Sequence, residues 1–141
     1  MRMTSALVTA LLAATSVQAA SVPTLPDCPA KPNCVSSQAT GNHRIEPFKI
    51  SGEAGMAYEK LRNLLVARPD TKVVSADGTS IRVEFRTMLG FVDDGLFVLD
   101  APAGLIHVRS AARLGYWDLG KNRSRIEEIR HAFDEIQRVR R

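Results

Sequence analysis

The sequence predicts an α+β fold: a two-layer sandwich in which an antiparallel, four- to five-stranded sheet carries two helices on one face. Three observations carry this. Apolar residues recur at helical spacing over residues 54–65 and 126–139. Between them, residues 71–112 hold short alternating runs separated by turn residues. Strands grouped in sequence between two helices give an antiparallel sheet with its helices to one side. At 141 residues, 45% hydrophobic and 24% charged, the chain suits one soluble domain with a real core.

Residues 1–19 read as a secretory signal, with Arg2 near the start, an apolar run over 6–14 and small residues Val17 and Ala19 before Ala20. That run is short for a bilayer span, and nothing later approaches spanning length. Residues 20–44 read as an extended arm, rich in Pro, Ser, Thr, Asn and Gly, that leads into a domain over 45–141. In the arm, CPAKPNC places Cys28 and Cys34 close together, which in an exported chain predicts a disulfide. Closing that loop constrains the unfolded chain by roughly 2 kcal/mol.

Ile45 to Ile50 reads as a first strand, interrupted or at an edge because of Pro47. A helix is expected from Gly52 to Arg68, with Ser51 as N-cap, Glu53 at the positive end of the helix dipole and Pro69 as the stop. Its stripe is Ala54, Ala57, Tyr58, Leu61, Leu64 and Leu65. Thr71 to Ser75 and Ser80 to Thr87 form a hairpin about Asp77 and Gly78, with Ile81, Val83 and Phe85 facing the core. Phe91 to Leu99 and Leu105 to Ala112 supply the next two strands. Gly95 reads as a possible bulge, which leaves open whether Asp93 or Asp94 shares a face with Arg109. The closing helix starts at Asn122 or Ser124 and turns Ile126, Ile129, Phe133, Ile136 and Val139 inward.

Leu105 to Arg125 is where simple folding patterns break down. At strand period Ile106, Val108, Ser110 and Ala112 suit a core, whereas His107, Arg109 and Arg113 fall on the other face and predict a wet or ligand-facing side. Gly115 and Gly120 then bracket Tyr116, the sole tryptophan Trp117, Asp118 and Leu119. Removing Arg2 with the signal leaves 18 basic against 15 acidic residues, or +3. That mild balance, without a dense basic stripe, argues against nucleic acid as a partner.

CPAKPNCVSSQA with His43 downstream, GFVDDGLFVL, and VRSAARLGYWDLGKNRSRIEEI together resemble the family called domain of unknown function 1499, over nearly all of the chain after residue 19. Matching positions are Cys28, Pro32, Asn33, Cys34, Ser36, Ser37, His43, Phe91, Asp93, Asp94, Arg109, Ser110, Arg113, Gly115, Asp118, Gly120, Asn122, Arg123 and Arg125. Ala112 departs from the pattern, where many members carry Ser. The resemblance implies a small exported or chloroplast-directed protein with no established activity.

No GxSxG, HExxH or GxxxxGK[ST] motif is present, and two thiols with one nearby histidine do not make a metal site. No cofactor is expected. Ser36 and Ser37 with His43 and an aspartate are ingredients of a hydrolase, but their spacing does not test geometry. The leading expectation is a monomeric, non-catalytic binding module of the cell envelope, for a partner protein or a small anionic ligand. Its candidate binding residues are Arg109, Arg113, Tyr116, Trp117, Arg123, His43, Asp93 and Asp94, with charge-assisted hydrogen bonds and stacking as the means. Asp118, Asn122 and Arg125 are candidates for a structural network at the turn, and Arg123 could serve it too. The alternative is a carrier of an apolar or anionic ligand between helix and sheet, which requires a cavity of about 300 to 1,000 Å³ there.

Overall fold

The computed structural model describes residues 14–17 and 19–139, so most of the expected secretory segment lies outside the described residues. The chain forms β1 (Cys34–Ser36), a single 3-10 turn (Gly41–His43), β2 (Phe48–Lys49) and α1 (Ala54–Ala67). Then come β3 (Thr71–Ala76), β4 (Ser80–Arg86), β5 (Val92–Asp100), β6 (Leu105–Ala112) and α2 (Lys121–Arg138). The sheet has six strands rather than four to five, in the order β1-β6-β5-β4-β3, with β2 also against β6. Its strand pairs are antiparallel. The added strand, β1, arises inside the stretch expected to be an extended arm.

Both helices pack on one sheet face. From α1 come Ala57, Tyr58, Leu61 and Leu65, and from α2 Ile126, Ile129 and Phe133, against Ile81, Val83, Phe85, Phe97, Ile106 and Val108. Phe48 of β2 is fully buried and meets Phe97 and Phe133 edge-on, each at 5.7 Å between centroids. One side chain from the N-terminal segment thereby joins strand and helix, by a geometry that aromatic pairs favour. Pro47 shortens β2 to two residues, as its missing N–H requires.

Several boundaries move for local reasons. Glu53, not Ser51, caps α1, accepting from the N–H groups of Gly55 at 2.8 Å and Met56 at 2.7 Å. Those bonds favour the ionised form and hold its carboxyl below the usual range. Ser51 instead donates its N–H to Gln137 Oε1 at 2.7 Å. On α2, Gln137 takes the buried position expected of Ile136 and Val139, which are exposed, because the helix outruns the sheet and meets the β2 backbone there. The β3–β4 turn is built as its residues dictate: Asp77 Oδ1 accepts from Thr79 and Ser80 N–H, and Gly78 takes φ 88°.

Gly95 lies in regular register, opposite Val83 on one side and Ser110 on the other, and the sheet's irregularity falls in β3 between Val73 and Ser75. A Cβ on Gly95 would lie 2.6 Å from both Phe85 Cε2 and Val83 Cγ2. The glycine is there for space, not for a bulge.

Candidate functional site

Register settles the two acids. Asp93 pairs with Phe85 and Ala112 and faces the helices; Asp94 pairs with Glu84 and Ala111 and shares the opposite face with Arg109. Asp93 is buried and accepts from Arg125 Nη1 at 2.9 Å, while the Arg125 guanidinium lies 4.6 Å over the Phe85 ring. Burying a cation is tolerable only with such a partner.

The start of α2 is built around Asp118. Its Oδ1 accepts the Gly120 N–H at 3.0 Å, and its Oδ2 accepts the Asn122 N–H at 2.9 Å and Asn122 Nδ2 at 2.8 Å. Leu119 at φ 57° and Gly120 at φ 74° give the left-handed backbone that turns the chain into the helix. Fully buried Asn122 accepts Ser110 Oγ at 2.5 Å and reaches Asn33 O at 3.4 Å, so strand, helix and N-terminal segment meet in one polar knot. Asn33 Nδ2 donates to Gly115 O at 2.8 Å and ties the same segment to the turn.

Beside this knot lies an open cleft of about 290 Å³, lined in part by Lys31, Asn42, His43, Tyr116, Asp118 and Arg123. The disulfide Cys28–Cys34 stiffens its N-terminal wall. Arg123 donates to Asn42 O at 2.7 Å and Arg44 O at 2.8 Å, which fixes the 3-10 turn and leaves Nε and a second hydrogen on each Nη without a partner among the described residues. His43 Nδ1 lies 2.9 Å from Cys34 O; a carbonyl only accepts, so Nδ1 carries the proton.

Arg109 and Arg113 are not part of this cleft. They border a second one of about 390 Å³ on the sheet face away from the helices, with Arg82, Glu84, Asp94 and Leu96. The expected single basic and aromatic surface is therefore two places, because β6 aims its arginines at the sheet face while the turn carries Tyr116 past the sheet end. Arg113 donates to Asp94 at 2.8 Å and Glu84 at 2.9 Å, and those bonds raise its pKa. Arg109 is half-buried: burial lowers its pKa, and Asp94 and Asp27 oppose that. It donates to Asp27 O at 3.1 Å, while its buried Nε has no partner among the described residues. Trp117 is exposed and is not among the residues lining either cleft.

The sheet face expected to be wet is half covered. His107 and Ala111 are buried, and the segment before the disulfide lies against this face: Leu25 is buried, Pro26 borders the Arg109 cleft and Asp27 O accepts from Arg109. His107 Nδ1 lies 3.3 Å from Ser37 Oγ and Nε2 3.3 Å from Asp100 Oδ2. The order Ser, His, Asp is that of a hydrolytic triad, but each partner meets the other ring nitrogen, and Ser37 Oγ already accepts the Val108 N–H at 2.9 Å. All three groups are buried. The arrangement satisfies polar groups between β1, β6 and the β5–β6 turn. Sequence reading missed it by pairing Ser37 with His43; the alternating phase of β6 held the signal, since His107 shares a face with Arg109.

Among the described residues no group of three or more His, Cys, Asp and Glu side chains converges as a metal site, and no helix is long and apolar enough to cross a membrane. No curated protein and no solved structure matches the chain. The model of a family described as protein of unknown function (DUF1499) matches residues 24–133. That span takes in the disulfide, the sheet, both clefts and most of α2, and the chain belongs to the DUF1499 family.

Proposed function

We propose that this protein is a non-catalytic binding module that takes a small anionic group in the cleft formed by the disulfide loop, the 3-10 turn and the start of α2. One observation carries the reading. Lys31, His43 and Arg123 line the cleft, and its acid Asp118 has both carboxylate oxygens spent on the start of α2. Lys31 and the remaining N–H groups of Arg123 are donors without a partner among the described residues, the oxygens of Asp118 are turned to the start of α2, and Tyr116 adds a ring against which a planar group can stack.

The disulfide supports work in an oxidising compartment such as the cell envelope. Two other readings find less support. The space between helices and sheet is filled by Phe48, Phe85, Phe97, Phe133, Leu61 and Leu65, which speaks against a carried apolar ligand. The buried, reversed Ser37–His107–Asp100 arrangement speaks against hydrolysis.

The test is amide shift mapping by NMR with inorganic phosphate, acetate and a short acidic peptide. Shifts should centre on residues 31, 42–43 and 116–123, and Lys31→Ala should weaken the binding about tenfold, as loss of one charge-assisted hydrogen bond does. Saturable shifts confined to the Arg82–Arg109 face, or none with any of the three, reject the cleft.

A further inference from the structure

The end of the sheet beside the cleft carries a feature that the core does not use and that the anion site shares only at Tyr116. The β4–β5 turn, Thr87 to Phe91, exposes Met88 at 101% and Leu89 at 85% of their full areas, with Phe91 also exposed. The β6–α2 turn exposes Leu119 at 77% and Trp117 at 65%, with Leu114 and Tyr116. The two turns are neighbours: Arg86 pairs with Val92 at the base of one, and the Arg113 N–H donates to Val92 O at 3.3 Å at the base of the other. Phe91 and Leu114 flank that tie in sequence. Seven large apolar side chains therefore leave the protein at one end, on two turns rather than in a groove.

We infer that this end is a tip that inserts into the interfacial layer of an anionic lipid membrane. Single exposed apolar residues are ordinary, whereas a contiguous patch calls for an occupant. Three observations favour lipid over a protein surface. Met88 and Leu89 stand free of the fold on a convex turn, a shape a fluid layer accommodates. Trp117 and Tyr116 are amphipathic rings of the kind enriched at headgroup level. Exposed Lys31, Arg86 and Lys121 stand near the two turns, and none enters an ion pair among the described residues. Uncompensated cations around an apolar tip complement anionic headgroups. The apolar tip and the anion cleft meet at Tyr116, but Met88 and Leu89 are not among the cleft's lining residues, so this inference does not rest on the cleft.

Trp117 is the chain's sole tryptophan and reports on the tip directly, whatever residues 1–19 do at a membrane. The experiment adds the full chain to vesicles of phosphatidylglycerol and phosphatidylcholine and follows Trp117 emission, with a parallel series in which the acyl chains are brominated. The expected result is a blue shift, quenching by the brominated lipid, and weakening of both by salt. Leu89→Asp and Met88→Asp should each raise the lipid concentration needed by at least about tenfold, the loss expected for one buried side chain. Both residues are exposed, so the variants should keep the parent's unfolding midpoint, which is measured alongside. Emission unmoved by vesicles overturns the inference, as does a shift that both aspartate variants retain in full.

Discussion

Arg125 Nη1 lies 2.9 Å from Asp93 Oδ2 while its guanidinium covers the Phe85 ring at 4.6 Å, so one buried cation binds α2 to β5 and β4 together. Removing Arg125 strands the Asp93 carboxylate away from water, and removing Asp93 leaves buried Arg125 with only the more distant Asp70 at 3.9 Å as counter-charge. Arg125→Met and Asp93→Leu should each cost about 3 to 5 kcal/mol in urea unfolding. The double variant should cost less than the sum of the two, because the penalty lies in the unpaired charge. Additive losses would show that the two side chains act through separate contacts.

Gly95→Ala tests close packing on the same face. With Phe85 and Val83 each 2.6 Å from the new Cβ, the variant should lose about 1 to 3 kcal/mol in denaturant unfolding. Shortening a neighbour in Gly95→Ala/Val83→Ala should cost less than the two single losses summed. A neutral Gly95→Ala would mean that the two strands separate at no cost.

A different part of the chain reports on Cys28–Cys34. Unreduced, denatured protein from an oxidising compartment should bind no thiol reagent, and two reactive thiols would contradict the bond. Reduction should lower stability by roughly 2 kcal/mol. It should also speed proteolysis at Lys31 far more than in α1, since Cys34 opens β1 opposite Ala111.

Asp70 gives the stability a pH dependence. Burial pushes its carboxyl up, but hydrogen bonds from Arg68 and Thr71 and the charges of Arg68 and Arg125 outweigh it, leaving the folded value below the usual one. A depressed folded value stabilises above the unfolded value, and that stabilisation is lost as pH falls through the folded one. Asp70→Asn should therefore be least stable relative to the parent near neutral pH. The gap should close below about pH 4, the ordinary aspartate range. Midpoints measured across that range check this; a gap of constant size would place the Asp70 contribution outside its charge.

The hairpin at Asp77-Gly78, the boundaries of β6, the inward face of α1 and that of α2 as far as Phe133 were legible because each is written locally, as turn chemistry or periodicity. β1 was not. Three residues in a segment rich in Pro, Ser and Asn become a strand because the β6 edge offers partners, a long-range fact with no local signature. The cap of α1 was misplaced for the same reason, with Ser51 engaged by Gln137 from the far end of the chain. At the site, residue types were legible and assembly was not. Asp93 and Asp94 differ by one position, yet one is buried with Arg125 and the other bonded to Arg113, and only the register of β5 decides which.

β6 receives β2 along Leu105 and Ile106 and β1 along Arg109 to Ala111, so both strands from the chain's beginning lean on one made near its end. During synthesis the opening segment emerges long before its ladder exists, whereas the two cysteines, six residues apart, need nothing downstream to meet. Contacts so distant in sequence form late. We therefore expect the disulfide to close on an otherwise unstructured segment, with β1 and β2 docking last as a preformed clasp. Pulsed hydrogen exchange during refolding would then protect amides of β4 and β5 before those of residues 34–37, and the reverse order would rule this out.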